Sequence, residues 1–206
     1  RSRLYSTNPF RTFPILASVW VGTNGNQWER LPGVARTGNF RRMVRDNHAG
    51  GGNTKDADVV ITVNGTAGPF AVTAPNTAVS WAGNTAQTVT WSVNSTNLAP
   101  VSCANVKISV STNGGTSFTT LISSTPNDGT ETITVPNTAS TTARIKVEAV
   151  GNIFFDISNV NFTITSGSSC GNPTGLSSSG ITTSAATLSW TAVSGANSYD
   201  VDYKLN

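Results

Sequence analysis

Histidine occurs once in this chain, and that scarcity removes more chemistry than any other feature. A zinc helix of the His-Glu-x-x-His kind needs two histidines on adjacent turns of one face, so His48 cannot anchor one. His48 stands near Asp46 in a glycine-rich loop, and no nucleophile-elbow motif is present to use it as a base. It reads as a solvent-exposed loop residue. Gly50-Gly51-Gly52 is followed neither by Lys-Ser/Thr nor by a helix that would receive a phosphate, which argues against a nucleotide loop. No constellation supports catalysis, and the chain itself is expected not to be an enzyme.

Charge is also scarce, at 11% of residues, and helix formers give way to Thr, Ser, Asn, Gly and Val. That composition favours strands and turns, so the fold class expected is all-β. Apolar runs fall well short of the roughly 20 residues that span a bilayer, and no charged segment precedes an apolar core near Arg1. Neither a membrane span nor a signal peptide is expected within the sequence. Cysteine appears twice, at Cys103 and Cys170. Free buried thiols, one bridge between them, or partners elsewhere all fit the spacing. The Ser/Thr/Asn-rich composition points to an extracellular setting, secreted or at the cell surface.

The 206 residues suit two sandwich modules of about 100 residues, or one with incomplete neighbours. The central stretch, 67–165, reads as one complete immunoglobulin-like β-sandwich. Seven strands are expected there: Phe70 to Thr73, Gln87 to Val93, Asn105 to Ser111, Phe118 to Ile122, Glu131 to Val135, Ala143 to Ala149, and a last one from Ile153 and Phe154 on to Phe162 to Ile164. Val89, Trp91 and Val93 form the apolar face of one strand; Val106, Ile108 and Val110 form that of the next. Asn113-Gly114-Gly115 and Pro126-Asn127-Asp128-Gly129 supply turns. Trp81 falls outside these strands. Asp156, where an apolar strand breaks, is expected to hold backbone amides in a tight turn.

Residues 1–66 read as the C-terminal part of a sandwich or β-rich segment, ending in a hairpin of Asn39 to Arg45 and Ala57 to Val63 around the glycine-rich loop. Prolines and glycines punctuate the earlier part too often for a long helix. Nine basic residues face four acidic ones before Ala67. Such an excess could draw an anionic polymer. The arginines are scattered and not gathered on a helix, so nucleic acid is not an expected partner. After a flexible linker, 166–169, residues 170–206 are expected to give three strands (Pro173 to Leu176, Ala186 to Trp190, Ser198 to Tyr203) of a truncated module.

Two further sets of residues invite a ligand. Asp46, Asp56 and Asp58, with Asn47, offer hard oxygens for calcium at the end of a sandwich, although their spacing matches no EF-hand. Trp20, Trp28 and Trp81 are candidate platforms for sugar rings, with packing as the competing role.

A family resemblance can be set beside these readings. Ala67-Gly68-Pro69-Phe70, Gln87-Thr88-Val89-Thr90-Trp91, the run from Val106 to Gly115, Thr125-Pro126-Asn127-Asp128-Gly129, Ala143-Arg144-Ile145-Lys146-Val147 and Asn152 to Ser158 stand in one order. In that order they resemble the β-sandwich found after the catalytic domain of secreted bacterial reprolysin-like zinc metallopeptidases, many with a type IX secretion signal. Leu4 to Pro9 and Arg45-Asp46-Asn47 with the following glycines resemble the segment before that sandwich. Residues 170–206 are similar to the opening of a fibronectin type III domain, with Leu188-Ser189-Trp190 as its tryptophan strand. The resemblance implies tandem sandwiches with incomplete end modules. It also implies a parent peptidase with its zinc upstream of Arg1, neighbouring domains of the same chain as partners, and protein substrate or cell-surface glycan within reach. None of the family's catalytic residues maps onto this sequence.

Overall fold

In the computed structural model, residues 11–23, 25–46, 48–167, 171–193, 196 and 198–202 are described. Strands dominate, and the one helix among these residues is the five-residue α1, Leu16–Trp20. The expectation of an all-β chain holds.

Nine strands build the central module: β3 (Ala71–Ala74), β4 (Ser80–Ala82), β5 (Ala86–Ser92), β6 (Asn105–Ser111), β7 (Thr119–Pro126), β8 (Thr130–Thr134), β9 (Ser140–Ala149), β10 (Phe155–Ile157) and β11 (Phe162–Thr165). One sheet runs β3-β5-β8, and the larger runs β4-β11-β9-β6-β7 with β10 also on β9. β9 is long enough to serve two partners along one edge: β11 pairs beside Ser140 and Ala143, and β10 pairs with Lys146 to Glu148. Its other edge runs in unbroken register with β6, from Val106 opposite Ala149 to Ser111 opposite Arg144.

The period-two pattern places one set of side chains between the sheets. Val72, Val89, Trp91 and Ile133 from the small sheet meet Val106, Ile108, Val110, Ala143, Ile145, Val147, Phe162 and Ile164 from the large one in a single buried cluster. Each fully buried aliphatic side chain contributes about 1.5–3 kcal/mol of transfer free energy. Trp81 corrects the sequence reading. It lies within β4, is only 9% exposed, and packs on Phe162 with ring centroids 4.7 Å apart. Three residues are too few for alternation to reveal a strand; this one pairs in parallel with β11.

Asn127 carries a polar network inside the module. Asn127 accepts from Trp91 Nε1 at 2.9 Å, while its amide nitrogen donates to Thr96 Oγ1 and Cys103 O, both at 3.1 Å. The turn that carries it thus fixes the tryptophan of β5 and the loop before β6 at one point. Cys103 is a free, buried thiol whose Sγ donates to Asn105 O. Burial pushes its pKa up, against hydrogen bonds with Val150 and Asn105. Cys170 lies outside the described residues.

Asp156 accepts the Val72 N–H at 2.7 Å and so ties β10 to β3. Burial raises its pKa, against the hydrogen bonds from Val72 and Ile157 that favour the anion. Glu148 differs. Burial opposes its ionisation too, but hydrogen bonds and charge from Lys107 and Lys146 hold its carboxyl below the usual range.

The flanking pieces are simpler than two sandwiches. β1 (Arg36–Arg45) and β2 (Thr54–Val63) form the expected hairpin, longer than alternation suggests, with ten continuous pairs and no third strand among the described residues. β12 (Thr174–Ser179) and β13 (Thr187–Thr191) form a second hairpin. The third strand expected from Ser198 does not form over Ser198 to Asp202; Tyr199 instead packs edge-on to Trp190 at 5.3 Å. Tyr203 lies outside the described residues.

Replacing Asn127 with Ala strands the Trp91 N–H and two acceptors, and is expected to lower stability by about 3 kcal/mol in urea denaturation. For Asp156, the folded pKa above the unfolded value means that its ionisation becomes a cost as pH rises. Stability from this site is full below the unfolded carboxyl pKa and is lost as pH climbs through the raised folded value. Asp156→Asn should abolish that decline, read as a smaller fall in denaturation midpoint between acidic and neutral pH.

Candidate functional site

The aspartates offered for calcium are occupied within their own hairpin. Asp46 closes the loop, accepting the N–H groups of His48 at 3.2 Å and Asn53 at 2.9 Å. Asp58 binds Arg41 through both carboxylate oxygens, at 2.6 and 2.7 Å, and Asp56 lies 3.4 Å from the same guanidinium. The hydrogen bond from Arg41 holds the Asp58 carboxyl below its ordinary pKa. The three aspartates therefore serve a turn and an arginine and do not converge. Asn47 lies outside the described residues. Among the described residues no three His, Cys, Asp or Glu side chains form a group able to hold a metal ion. His48 is exposed in its loop.

The three tryptophans separate by environment. Trp81 belongs to the core and presents no face to a ligand. Trp20, at the end of α1, is half-buried against the central module. Its carbonyl accepts from Arg144 Nη1 at 2.8 Å, and Arg144 also donates to Ser158 O at 2.9 Å and Asn161 Oδ1 at 2.7 Å. Beneath the indole lies Gly115, where an added Cβ would sit 2.9 Å from Trp20 Nε1 on a backbone with φ +86°. Arg144, an outward residue of β9, thus fastens the first segment to the sandwich. Nothing in the alternation of β9 could reveal this partner, which lies 124 positions away.

Trp28 is 58% exposed. It stands on a tight turn that begins where Gly25 bridges Arg30 and closes as Asn26 N donates to Glu29 O at 2.8 Å. Asn26 Oδ1 in turn accepts the N–H groups of Trp28 at 2.8 Å and Glu29 at 2.9 Å. Gly25 is required there, because φ is +123° and a Cβ would fall 1.8 Å from Glu29 O. The buried Glu29 carboxylate is engaged by Arg11.

Two open grooves flank this turn. The first, about 460 Å³, is lined by Thr23, Gly25, Asn26, Gln27 and Arg30. The second, about 380 Å³, runs from Arg30 past Leu31, Pro32 and Val34 to Arg36. They share Arg30 and contain no acidic lining residue. The sequence draws attention to Trp28 but not to the grooves, which depend on a turn geometry that only Gly25 permits.

No family model matches the chain, and no curated protein matches it. No helix among the described residues is long and apolar enough to cross a membrane.

The paired state of Asp56 and Asp58 with Arg41 leads to a direct expectation: millimolar calcium, or a chelator, leaves the melting temperature of the chain unchanged. A rise of several degrees with calcium would show that the aspartates abandon Arg41 for the ion.

Proposed function

We propose that the chain is a non-catalytic accessory region of a secreted bacterial zinc metallopeptidase, spacing or positioning the catalytic domain near its substrate or at the cell surface. In this reading the central module is an immunoglobulin-like sandwich, residues 170–206 open a fibronectin type III domain, and zinc belongs to a domain upstream of Arg1. The supporting observation is the joint at Arg144. A module that merely followed another on a linker would need no such contact, whereas one that positions its neighbour must be fixed to the segment leading into it. The resembling residues also sit at points of structural consequence: Trp91 and Asn127 share a buried hydrogen bond, Gly115 receives Trp20, and Asp156 joins the sheets.

A second reading is a carbohydrate- or surface-binding adhesion module of an extracellular protein. Its support is the exposed Trp28 beside an open groove lined by amides and a hydroxyl.

The two readings part at the reading frame and at the bench. A His-Glu-x-x-His helix encoded upstream is expected on the first, and paired catalytic carboxylates upstream would end it. The purified chain supplied with zinc should leave unfolded casein intact. In the parent, Arg144→Ala should spare turnover of a short peptide while lowering activity on folded protein substrates.

A further inference from the structure

We propose that the free edge of β1 accepts an added strand, supplied by an extended acidic segment of another protein, with carboxylates opposite Arg36 and Arg42 and apolar side chains between them. The assignment is independent of both readings above.

Among the described residues β1 pairs with β2 alone, so its other edge is open. Asp46 N donates to Asn53 O just beyond the last pair of the ladder, Arg45 opposite Thr54. Bonded and non-bonded pairs alternate in an antiparallel ladder, and Thr37, Asn39, Arg41, Met43 and Arg45 therefore turn their N–H and C=O groups away from β2. Natural edges are kept from pairing by shortness, bulges, proline or a covering element. β1 has ten residues in unbroken register and no proline. Its arginines are the remaining guard, and they repel basic strands while admitting acidic ones.

Arg36, Phe40, Arg42 and Val44 share one face of the hairpin with Val59 and Ile61. Phe13 meets Phe40 edge-on at 5.6 Å, which leaves Val44 and Val59 exposed. An added strand continues this face, setting apolar side chains beside Phe40 and Val44. Arg36 and Arg42 have no carboxylate partner among the described residues, because Asp56 and Asp58 lie on the opposite face and are held by Arg41. At the start of the strand the second groove adds Arg30, again with no acidic lining residue.

Charge also decides against a second copy of this chain. Pairing β1 with another β1 brings two sets of four arginines together, and like charges across a ladder are destabilising. β2 of another copy would bring Lys55 and two aspartates already bound to Arg41. Regularly spaced outward N–H and C=O groups match an extended peptide backbone, which a sugar chain does not reproduce.

Residue-resolved amide hydrogen exchange of the full chain tests the proposal. The probe is a synthetic peptide of β1's length with threonine on one face and, on the other, valine with glutamate opposite Arg36 and Arg42. Exchange at Thr37, Asn39 and Met43 should slow roughly a hundredfold when the peptide stands at about a hundred times its Kd. Arg36→Gln and Arg42→Gln should each weaken binding about threefold, and Lys55→Gln, on the far strand, should leave it intact. Lysine in place of glutamate in the peptide, or N-methylation of the amides that face β1, should abolish binding. Equal binding of the N-methylated peptide would show that charge alone acts and would overturn strand addition. Binding of heparin but not of the peptide would make the face a general polyanion surface. Protection of the same amides on concentrating the chain without peptide would give the edge to a second copy. Either of these results, or no binding of the peptide, would overturn the proposal.

Discussion

The structure depends on one contact surface, where the inward side chains of β6 and β9 meet those of β5 and β8. Val106, Ile108 and Val110 lie beside Ala143, Ile145 and Val147 in the large sheet, and all are almost wholly removed from water. The two strands run in register over six pairs, so their inward residues cannot slip without sending the whole set to the other face. Every outward position is fixed as a consequence. Lys107, Lys146 and Glu148 form an ion cluster on the outer face, and Arg144 faces the same way, available to the incoming segment. Burial of one face thus decides what the other can hold.

The joint between α1 and the sandwich is of a different quality. The core satisfies its polar groups, as Asn127 does for Trp91, Thr96 and Cys103. At the joint, Trp20 Nε1 and Asn159 Oδ1 are buried without hydrogen-bond partners among the described residues, although Arg144 donates one hydrogen bond across it, to Trp20 O, while its other two stay within the sandwich. An unmet buried polar atom costs roughly 1–3 kcal/mol, at least what one such hydrogen bond returns. The contact therefore orients the segment more than it stabilises it, and it should open well before the module unfolds.

How much of this is legible in the sequence follows from the length of each signal. Strands of five or more residues with alternating Val, Ile and Trp are readable, because burial of one face leaves a period-two trace. The hairpin of β1 and β2 is readable from its glycine-rich loop. β4 is not, since three residues carry no period; Trp81 consequently reads as lying outside the strands when it is part of the core. α1 spans five residues with no side-chain cap, too short for a helical stripe. Proximity along the chain groups the aspartates, but Arg41, directly across the hairpin from Asp58, claims two of them. The family resemblance draws on residue order, and no family model matches the chain.

Placement of the grooves outside the sandwich follows from the same physics. Within the central module, inward positions are filled by apolar side chains, and outward charges such as Lys107 and Lys146 share Glu148 as an ion-pair partner. Little is left there to attract a ligand. The stretch from Val21 to Arg36, between α1 and β1, is the reverse: glycine and proline interrupt it, buried area is small, and Arg30 and Arg36, the latter the first residue of β1, face water without a carboxylate partner among the described residues. Unpaired cations beside amides and an exposed indole are tolerable only where no core has to form. A rigid sandwich that holds α1 through Arg144 gives such a segment a fixed base, which it could not provide for itself. Among the described residues the first segment and the sandwich thus meet through Arg144 and through the Trp20 indole over Gly115.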